Sequence, residues 1–513
     1  MGAQQQAGGP DFALGVALAE LPEGTTLAGR VGDEPVLMSR RGGQFYALSG
    51  ACTHYGAPLG EGLVAGDHVR CPWHHACFDL RTGEAIAAPA FQQLARWRVD
   101  IEGERAFVRE RLPRAPAPAP AMPSKSRHPD RILILGGGAA GFAAADMLRR
   151  SGFSGALTML SADASPPCDR PNLSKDYLAG TAPEDWIPLK DDAYYQDRAI
   201  DLRLETEVET IDLGARHVAT RAGETFPFDA LLLATGASPI RLPSPGFDLP
   251  NVHVLRSVAD ARAIIARAQQ SRSAAIVGAG FIGLEVAASL RARGLDVHVI
   301  APDHVPLQRV LGPEIGRFVQ SLHESQGVRF HLGRTADSFD GRTLGLSDGG
   351  AVDADLIVVG IGVAPNVQLA AAAGLSVNNG VLVDGFLRTS APGVFAAGDI
   401  ARYRDPRLDE HIRIEHWVAA ERQGQTAALN MLGADAVFAD TPFFWSKHYE
   451  HSLHYVGQAS SWDHVAIEGS IGAADFTARF LRNNRLLAAV SLGRPRETLA
   501  LHEQMNTEAA TAF

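Results

Sequence analysis

One strand–turn–helix pattern occurs twice in this chain, and it limits the fold more than any other feature. Each copy is an apolar strand followed by Gly-x-Gly-x-x-Gly: Gly136, Gly138 and Gly141 in the first, Gly278, Gly280 and Gly283 in the second. The first glycine makes the tight turn, the second lets a pyrophosphate approach the backbone, and the third lets helix and strand pack closely. Two copies predict an α/β fold with two dinucleotide-binding units, the first for a flavin and the second for a nicotinamide.

The residues around each copy support this interpretation. Ile132–Leu135 and Ala274–Val277 are apolar runs that predict buried strands, and Phe142–Arg150 predicts the helix after the first turn. Asp163 lies twenty-two positions after Gly141, close to the spacing at which an acidic residue binds the ribose.

Charge and composition exclude several classes of protein. The 513 residues carry a net charge of −11, which argues against non-specific binding to nucleic acid. The N-terminal residues lack a secretory signal pattern, and no apolar run reaches about 18 residues, so we expect no membrane span. Only 4 cysteines occur, too few for a disulfide framework, and we therefore expect a cytoplasmic protein.

A second motif lies in residues 11–112, whose short alternating runs predict a small β-rich domain. The segments CTHYGAPL and CPWHHACFDLRTG each provide one cysteine and one histidine as candidate metal ligands: Cys52, His54, Cys71 and His74. Such a set can bind tetrahedral zinc or a [2Fe–2S] cluster with both histidines on one iron. A zinc site more often pairs Cys-x-x-Cys with His-x-x-x-His, so the flanking residues favour the cluster.

These loops closely resemble those of the Rieske ferredoxin family. High-potential members of that family carry a further cysteine in each loop and join the two in a disulfide. Here Cys77 occupies one of these positions and Ala57 the other, so the resemblance implies a low-potential, ferredoxin-like domain without that disulfide. The Cys-x-x-His spacing makes His74 the ligand, and we expect the neighbouring His75 to lie behind the ligands or at the surface.

The rest of the chain resembles two-dinucleotide-domain flavoprotein reductases. Its PNLSK and EHW segments resemble those of ferredoxin reductases of aromatic dioxygenase systems and of apoptosis-inducing-factor-like oxidoreductases, and a Rieske domain before a reductase is the order of the latter group. The resemblance implies a multidomain fold, with an all-β Rieske domain followed by a glutathione-reductase-like, Rossmann-type α/β flavoprotein and a small α/β C-terminal domain. The expected boundaries are 11–112 for the Rieske domain, 113–129 for a Pro/Ala linker, 130–252 and 375–440 for the FAD-binding domain, 253–374 for the NAD(P)-binding domain and 441–513 for the C-terminal domain.

The same resemblance assigns residues to the cofactors. The expected contacts are Gly136, Gly138, Ala140, Gly141, Asp163, Arg170, Lys175, Val208, Gly236, Arg256, Asp399, Trp417, Trp445, Gly278, Gly280, Gly283, Glu285 and Gly362. Lys175 and Glu285 are expected to pair where hydride passes from nicotinamide to flavin, which makes them the candidate catalytic residues. Trp445, in PFFWSK, is either an aromatic residue on the flavin face or a core tryptophan.

The cysteine positions separate this chain from disulfide reductases, which carry a redox-active pair beside the flavin. The flavin half contains only Cys168, and residues 169–513 contain no cysteine, so a dithiol mechanism is excluded. We expect an NAD(P)H-dependent oxidoreductase that binds FAD and a [2Fe–2S] cluster. Hydride would reach FAD, and single electrons would leave through the cluster to an unidentified redox protein or oxygenase component.

Two other interpretations stay open. A slow, NADH-responsive redox sensor of the apoptosis-inducing-factor type would use the same cofactors to change its conformation or its partner. An oxygenase is less favoured, because Rieske oxygenases need a second domain with mononuclear iron, and dinucleotide folds follow here instead. A homodimer is a further open expectation.

We predict that NADH is preferred over NADPH. Ala301 stands at the strand end where many relatives have Glu, Asp303 follows two residues later, and no arginine lies adjacent to receive a 2′-phosphate. Because a phosphate beside a carboxylate is a like-charge contact, kcat/KM should be at least about tenfold higher for NADH. Steady-state kinetics with both nucleotides checks this, and a higher value for NADPH would assign the selection to His304 or a distant basic residue.

Overall fold

The computed structural model describes residues 8–114 and 128–511. Most of the linker expected at 113–129, namely residues 115–127, lies outside the described residues. Within the described part, three regions follow one another: a small β domain, a reductase built around two parallel sheets, and a C-terminal antiparallel sheet with a helix.

The N-terminal region consists of two antiparallel sheets. The first has six strands, in spatial order Val16–Ala17, Arg105–Arg111, Arg96–Glu102, Gln44–Ser49, Glu34–Arg41 and Thr26–Val31. The second has four, Leu63–Ala65, His68–Arg70, Cys77–Asp79 and Ala85–Ala87. The β-rich character predicted from the alternating runs is confirmed.

The first glycine pattern lies in a five-stranded parallel sheet, ordered Ile200–Arg203, Ala156–Leu160, Arg131–Leu135, Ala230–Leu233 and Val394–Ala396. The strand predicted at Ile132–Leu135 is confirmed, and all four of these residues are buried. A three-stranded antiparallel sheet accompanies it, Val208–Asp212, His217–Thr220 and Thr225–Pro227. The order is that of a Rossmann-type unit, in which ligands bind at the carboxyl ends of the strands.

The second glycine pattern lies in a matching parallel sheet, ordered Val252–Val254, Leu356–Val359, Ser273–Val277, Asp296–Ala301 and Arg329–Leu332. Its antiparallel companion is Ala336–Phe339, Thr343–Leu346 and Ala351–Asp353. Two smaller sheets complete the reductase, one of Ala237–Pro239 and Val363–Pro365, the other of Val381–Leu382, Ala401–Asp405 and Glu410–Ile412. Ala370 and Leu375 pack in the core of the first parallel sheet, so the chain has returned there by these residues.

The C-terminal region is a five-stranded antiparallel sheet, ordered Phe443–His448, His451–Gly457, Arg485–Leu492, Asp475–Arg482 and His464–Ser470. The sequence predicts that Phe476, Ala478 and Phe480 alternate with polar outward residues along this strand, and all three are fully buried, but Thr477 between them is buried as well. The sequence also predicts a turn at Asn483 and Asn484, which is confirmed because both residues have positive φ between two paired strands.

The α-helices cover the sheets and end in a C-terminal helix. They are Ala139–Arg150, Asp176–Ala179, Asp192–Asp197, Val258–Ala268, Phe281–Ala292, Gln308–Ser325, Gln368–Ala372, Trp417–Met431 and Pro495–Ala510. The helix predicted from Phe142 begins three residues earlier, directly after Gly138. Across residues 8–114 and 128–511, no helix has the length and apolar character to cross a membrane.

The β domain is docked onto the reductase through buried polar contacts. The Arg422 guanidinium donates to the backbone oxygens of His75 (2.8 Å) and Ala88 (3.1 Å) while it pairs with Asp440 at 2.7 Å. Arg70 forms an ion pair with Glu503 of the C-terminal helix. Because a buried arginine is costly unless its N–H groups are satisfied, these contacts fix one orientation of the domain.

Candidate functional site

A single large cavity of about 1260 Å³ lies at the carboxyl ends of both parallel sheets. Its wall contains every cofactor contact expected from the sequence except Gly141 and Gly278. Those two glycines lie beneath the wall, where they shape the turns. The cavity therefore brings together residues from both glycine patterns, from the PNLSK segment and from the C-terminal sheet.

The first glycine turn shows why glycine is needed. Gly136 has φ of +114°, and a methyl group there would collide with the backbone oxygen of Ala234. A methyl group at Gly141 would collide with the backbone oxygen of Gly136, so the helix packs directly onto the turn. The N-terminus of Ala139–Arg150 consequently faces the cavity, where its free N–H groups can hold a pyrophosphate.

Unsatisfied buried atoms in the wall fit a bound FAD. Arg256 donates to Asp399 at 2.7 Å through one terminal nitrogen, whereas its Nε has no protein partner. The Nδ1 atom of His416, next to Trp417, also lacks a protein partner. Buried polar atoms are normally hydrogen-bonded, so the free donors mark positions that a polar ligand would fill. With the cavity volume and the glycine turn, the residues present fit a dinucleotide.

The predicted catalytic pair is formed. Lys175 donates from Nζ to Glu285 Oε2 at 2.8 Å, across 110 positions of the sequence. Two hydroxyl groups also donate to this carboxylate, Ser174 to Oε2 at 2.5 Å and Ser446 to Oε1 at 2.6 Å. Glu285 is 4% exposed, and these three donors balance the cost of its burial.

The four predicted metal ligands meet as two pairs. The loops are alike, because each cysteine N–H donates to the backbone oxygen five residues later, Cys52 to Ala57 and Cys71 to Ala76, both at 2.9 Å. The two thiols are hydrogen-bonded to each other, and His54 Nδ1 lies 3.1 Å from His74 Nδ1. No three His, Cys, Asp or Glu side chains of the described ranges surround one point as a single-ion site requires. Paired sulfurs beside paired nitrogens fit the two irons of a [2Fe–2S] cluster.

The protonation states suit metal binding. Burial lowers the pKa of His54 to about 3 and that of His74 well below its ordinary value, so both imidazoles are neutral. The hydrogen bond with Cys71, followed by burial, raises the pKa of the Cys52 thiol. Bound iron would supply the positive charge that lets both sulfurs deprotonate. Cys77 is buried and all four cysteines are free, as expected without a disulfide.

Trp445 lies between the two predicted centres. It is part of the cavity wall, and its ring centroid is 4.0 Å from that of His74. Of its two sequence interpretations, the structure places it at the cavity and not in a core. The neighbouring His75 is fully buried, stacked on Phe443 at 3.7 Å and hydrogen-bonded to His502 at 2.6 Å, so of its two expected positions it lies inside, next to the ligand His74, and not at the surface.

The expectation that no arginine lies beside Asp303 was wrong. The sequence placed no arginine next to Asp303, yet Arg309 donates to it at 3.0–3.1 Å, because the helix Gln308–Ser325 begins close by. Arg309 is 79% exposed in its side chain, and its charge is paired with the carboxylate. The NADH preference therefore stays a prediction that depends on this pair. Sequence reasoning missed Arg309, and its position six residues after Asp303 was the available signal.

Comparison with known proteins agrees with this geometry. Three families match in succession: the Rieske [2Fe-2S] domain at residues 14–98, pyridine nucleotide-disulphide oxidoreductase at 130–424 and reductase C-terminal at 443–512. The second match covers more than half of the 513 residues. The chain therefore belongs to the pyridine nucleotide-disulphide oxidoreductase family. Within that family it is a member with an N-terminal Rieske domain and a ferredoxin-reductase-type C-terminal domain.

Individual relatives cover most of the chain. Apoptosis-inducing factor 3 of Homo sapiens is 33% identical over 473 residues, 89% of this chain and 78% of the relative. The ferredoxin–NAD(+) reductase component of the anthranilate 1,2-dioxygenase system of Burkholderia cepacia is 39% identical and covers 71% of this chain and 92% of its own. Among solved structures, the covalent putidaredoxin reductase–putidaredoxin complex superimposes with a TM-score of 0.72 at 32% identity, covering 74% of this chain and 93% of that one.

We predict that Cys71→Ser removes the iron–sulfur cluster and leaves the FAD content unchanged. The reason is that a lost thiolate leaves one iron with a single sulfur ligand from the protein, while the flavin cavity keeps its walls. Iron, acid-labile sulfide and flavin measured per chain test this. Cys77→Ser is the matched control, a buried cysteine outside the ligand set, and should keep the cluster. Stoichiometric zinc without sulfide in the wild type would contradict the assignment.

We also predict that Lys175→Met and Glu285→Gln slow flavin reduction by NAD(P)H more than they lower FAD content. Each change breaks the charge pair in the cavity wall, and a misplacement of about 1 Å there can cost about 100-fold in rate. Stopped-flow absorbance measures the bleaching, with Lys447→Met as control, since that lysine pairs with Asp176 at 3.0 Å outside the wall. Wild-type bleaching rates in both variants would refute the assigned role.

Proposed function

We propose that this chain is an NAD(P)H-dependent oxidoreductase whose own Rieske cluster accepts the electrons of its flavin. The electrons then pass singly to an external acceptor, either a redox protein or an oxygenase component. When bound, FAD takes two electrons from NAD(P)H together and releases them one at a time, and the cluster carries one electron per step. Relatives named as ferredoxin and rubredoxin reductases support the same class of reaction.

The observation that carries this proposal is the contact between Trp445 and His74. One aromatic ring belongs to the wall of the cofactor cavity and the other to a cluster ligand, with centroids 4.0 Å apart. An electron leaving the cavity on this side meets no solvent gap before the cluster. The buried docking contacts of Arg422 keep the two rings together, so electron transfer needs no encounter between separate proteins.

The residues of the cavity have separable tasks in this function. The glycine turns and helix N-termini hold the two pyrophosphates. Arg256 and Asp399 hold polar groups of the flavin nucleotide, and Lys175 with Glu285 fixes the charge at the reacting face. Trp445 closes the cavity on the Rieske side and excludes water from the path of the electron.

The opposite side of the cluster is where we place the external acceptor. Tyr55 is 40% exposed and its ring lies 4.1 Å from His54, while Trp73 is 37% exposed beside His74. Exposed aromatic residues next to a cluster ligand form a short path and a surface of the kind that partners use. The proposal also includes a cytoplasmic location and a homodimer.

We predict that Trp445→Ala slows cluster reduction at least about tenfold more than it slows flavin bleaching by NADH, which corresponds to about 1.4 kcal/mol of barrier. Trp445→Phe should recover part of the rate because it restores an aromatic ring. Rapid-mixing absorbance and electron paramagnetic resonance separate the two events, and Trp186→Ala, an exposed tryptophan outside the wall, is the control.

Equal rates of cluster reduction in the wild type and in Trp445→Ala would remove the observation that carries the proposal. A wild-type protein whose reduced form persists for minutes with one-electron acceptors present would favour the redox sensor instead. Steady turnover with such acceptors, lost in Cys71→Ser, supports the enzyme.

A further inference from the structure

A continuous chain of hydrogen bonds leads from Glu285 to Tyr449, a partly exposed residue. Ser446 Oγ contacts Glu285 Oε1 at 2.6 Å and His448 Nε2 at 3.1 Å. His448 Nδ1 lies 3.1 Å from His323 Nε2, and His323 Nδ1 lies 3.3 Å from the Tyr449 hydroxyl. We call these five residues the relay.

The relay is buried except at its outer end. Glu285, Ser446, His448 and His323 are each at most 4% exposed, whereas Tyr449 is partly exposed. The residues come from three elements, the helices Phe281–Ala292 and Gln308–Ser325 and the strand Phe443–His448 with the turn after it. Each link uses a group that can both accept and donate a proton.

The contacts determine the direction of every hydrogen bond. An ionised Glu285 only accepts, so Ser446 must donate to it, and His448 must then donate from Nε2 to Ser446. His448 Nδ1 is therefore the acceptor for His323 Nε2–H, and His323 Nδ1 accepts from Tyr449. Burial lowers the pKa of both histidines to about 3 and raises that of Tyr449 to about 12, so the three side chains rest neutral.

All donors consequently point toward Glu285, which is the arrangement that brings a proton inward. Shifting each proton by one bond protonates Glu285 Oε1 and leaves the tyrosine oxygen to be refilled from water. The same shift leaves every donor pointing outward, so a second shift in the opposite direction returns the proton to solvent. Lys175 and Ser174 bond to the other oxygen, Oε2, and keep Glu285 in place in both states.

We propose that the relay carries a compensating proton to Glu285 when the flavin cavity is reduced and returns it when the electrons leave. The proposal rests on the proposed function, which supplies the reductant. Oxidation of NADH to NAD⁺ transfers two electrons and one proton to the cavity beside Glu285. The cavity therefore gains one negative charge. A like charge nearby favours the protonated carboxyl group, so one proton enters from water along the relay.

The balance closes over one turnover. Two one-electron acceptors remove the two electrons through the cluster, and two protons remain in the cavity. One of them, which the relay brought in, returns to water along the relay, and the other, which came from NADH, is released to water as the net product. Each NADH thus yields one NAD⁺, two reduced acceptors and one proton. The four relay residues beyond Glu285 lie outside the cavity wall, and their task is to let the charge of Glu285 change when the charge of the cavity changes.

The experiment follows protons and flavin together. Holoprotein in weak buffer with a pH-indicator dye is mixed anaerobically with NADH, and flavin bleaching and dye colour are recorded in the same stopped-flow shot. In the wild type, uptake of about one proton per NADH should coincide with bleaching. In His448→Gln and His323→Gln, bleaching should keep its rate while uptake lags by about 100-fold, because an amide hydrogen-bonds but does not pass a proton on.

His331→Gln is the matched control. His331 also forms a histidine pair, with His298 at 2.9 Å, but this pair lies in the nicotinamide-domain sheet and is not linked to Glu285 by any contact above. Its uptake should stay in step with bleaching. Flavin absorbance before mixing shows whether each variant is folded and loaded, and the two glutamine variants interrupt the relay at different points, so a failure of one to fold leaves the other.

The outcomes distinguish a failure of the relay from a failure of the proposed function. Proton uptake that keeps pace with bleaching in both glutamine variants overturns the relay, and so does a wild type that bleaches without any uptake. If NADH fails to bleach the flavin, the proposed function fails instead. Electrochemical reduction without NADH then tests the relay by the same comparison of dye signals between the wild type and the variants.

Discussion

The buried guanidinium of Arg422 is the contact on which the rest of the arrangement depends. It lies in the reductase helix Trp417–Met431 and binds two backbone oxygens of the Rieske domain, that of His75 inside the second cluster loop and that of Ala88 after it, while Asp440 neutralises it. Backbone oxygens do not move with a side-chain rotamer, so the guanidinium sets the position of the domain itself. The contact between the rings of Trp445 and His74, and with it the proposed path for electrons, follows from that position.

Inside the reductase, Glu285 links separate regions in the same way that Arg422 links the Rieske domain to the reductase. Its carboxylate joins the PNLSK segment, the nicotinamide-domain helix and the C-terminal sheet through Lys175, Ser174 and Ser446. A buried carboxylate is stable only while enough donors face it. The three regions are therefore held together by the charge that the cavity needs for its chemistry, and the residues that stabilise the fold here also define the site.

Much of this could be predicted from the sequence because it depends on local spacing. The strand predicted before the first glycine turn agrees with the observed strand to within one residue. The Cys-x-His and Cys-x-x-His segments could be recognised as ligand loops because each is a short loop closed by its own backbone hydrogen bond. Contacts between distant elements were out of reach. Arg422 and His75 are separated by 347 positions and His323 and His448 by 125, and no periodicity encodes which helix packs on which sheet. Arg309 was missed for the same reason, since its pairing with Asp303 depends on where a helix begins.

The strand Phe443–His448 shows how one short segment serves two kinds of transfer. Side chains of a strand alternate between its faces. Phe443 and Trp445 share one face: Phe443 stacks on His75 of the Rieske domain at 3.7 Å, and Trp445 contacts His74 with ring centroids 4.0 Å apart. Ser446 and His448 share the other face and bond to each other, Ser446 to Glu285 as well. A slip of one residue would exchange the faces and lose both sets of contacts at once. The pairing of this strand with His451–Gly457 over six residues, in continuous register, is therefore what keeps the aromatic side and the hydrogen-bonded side apart.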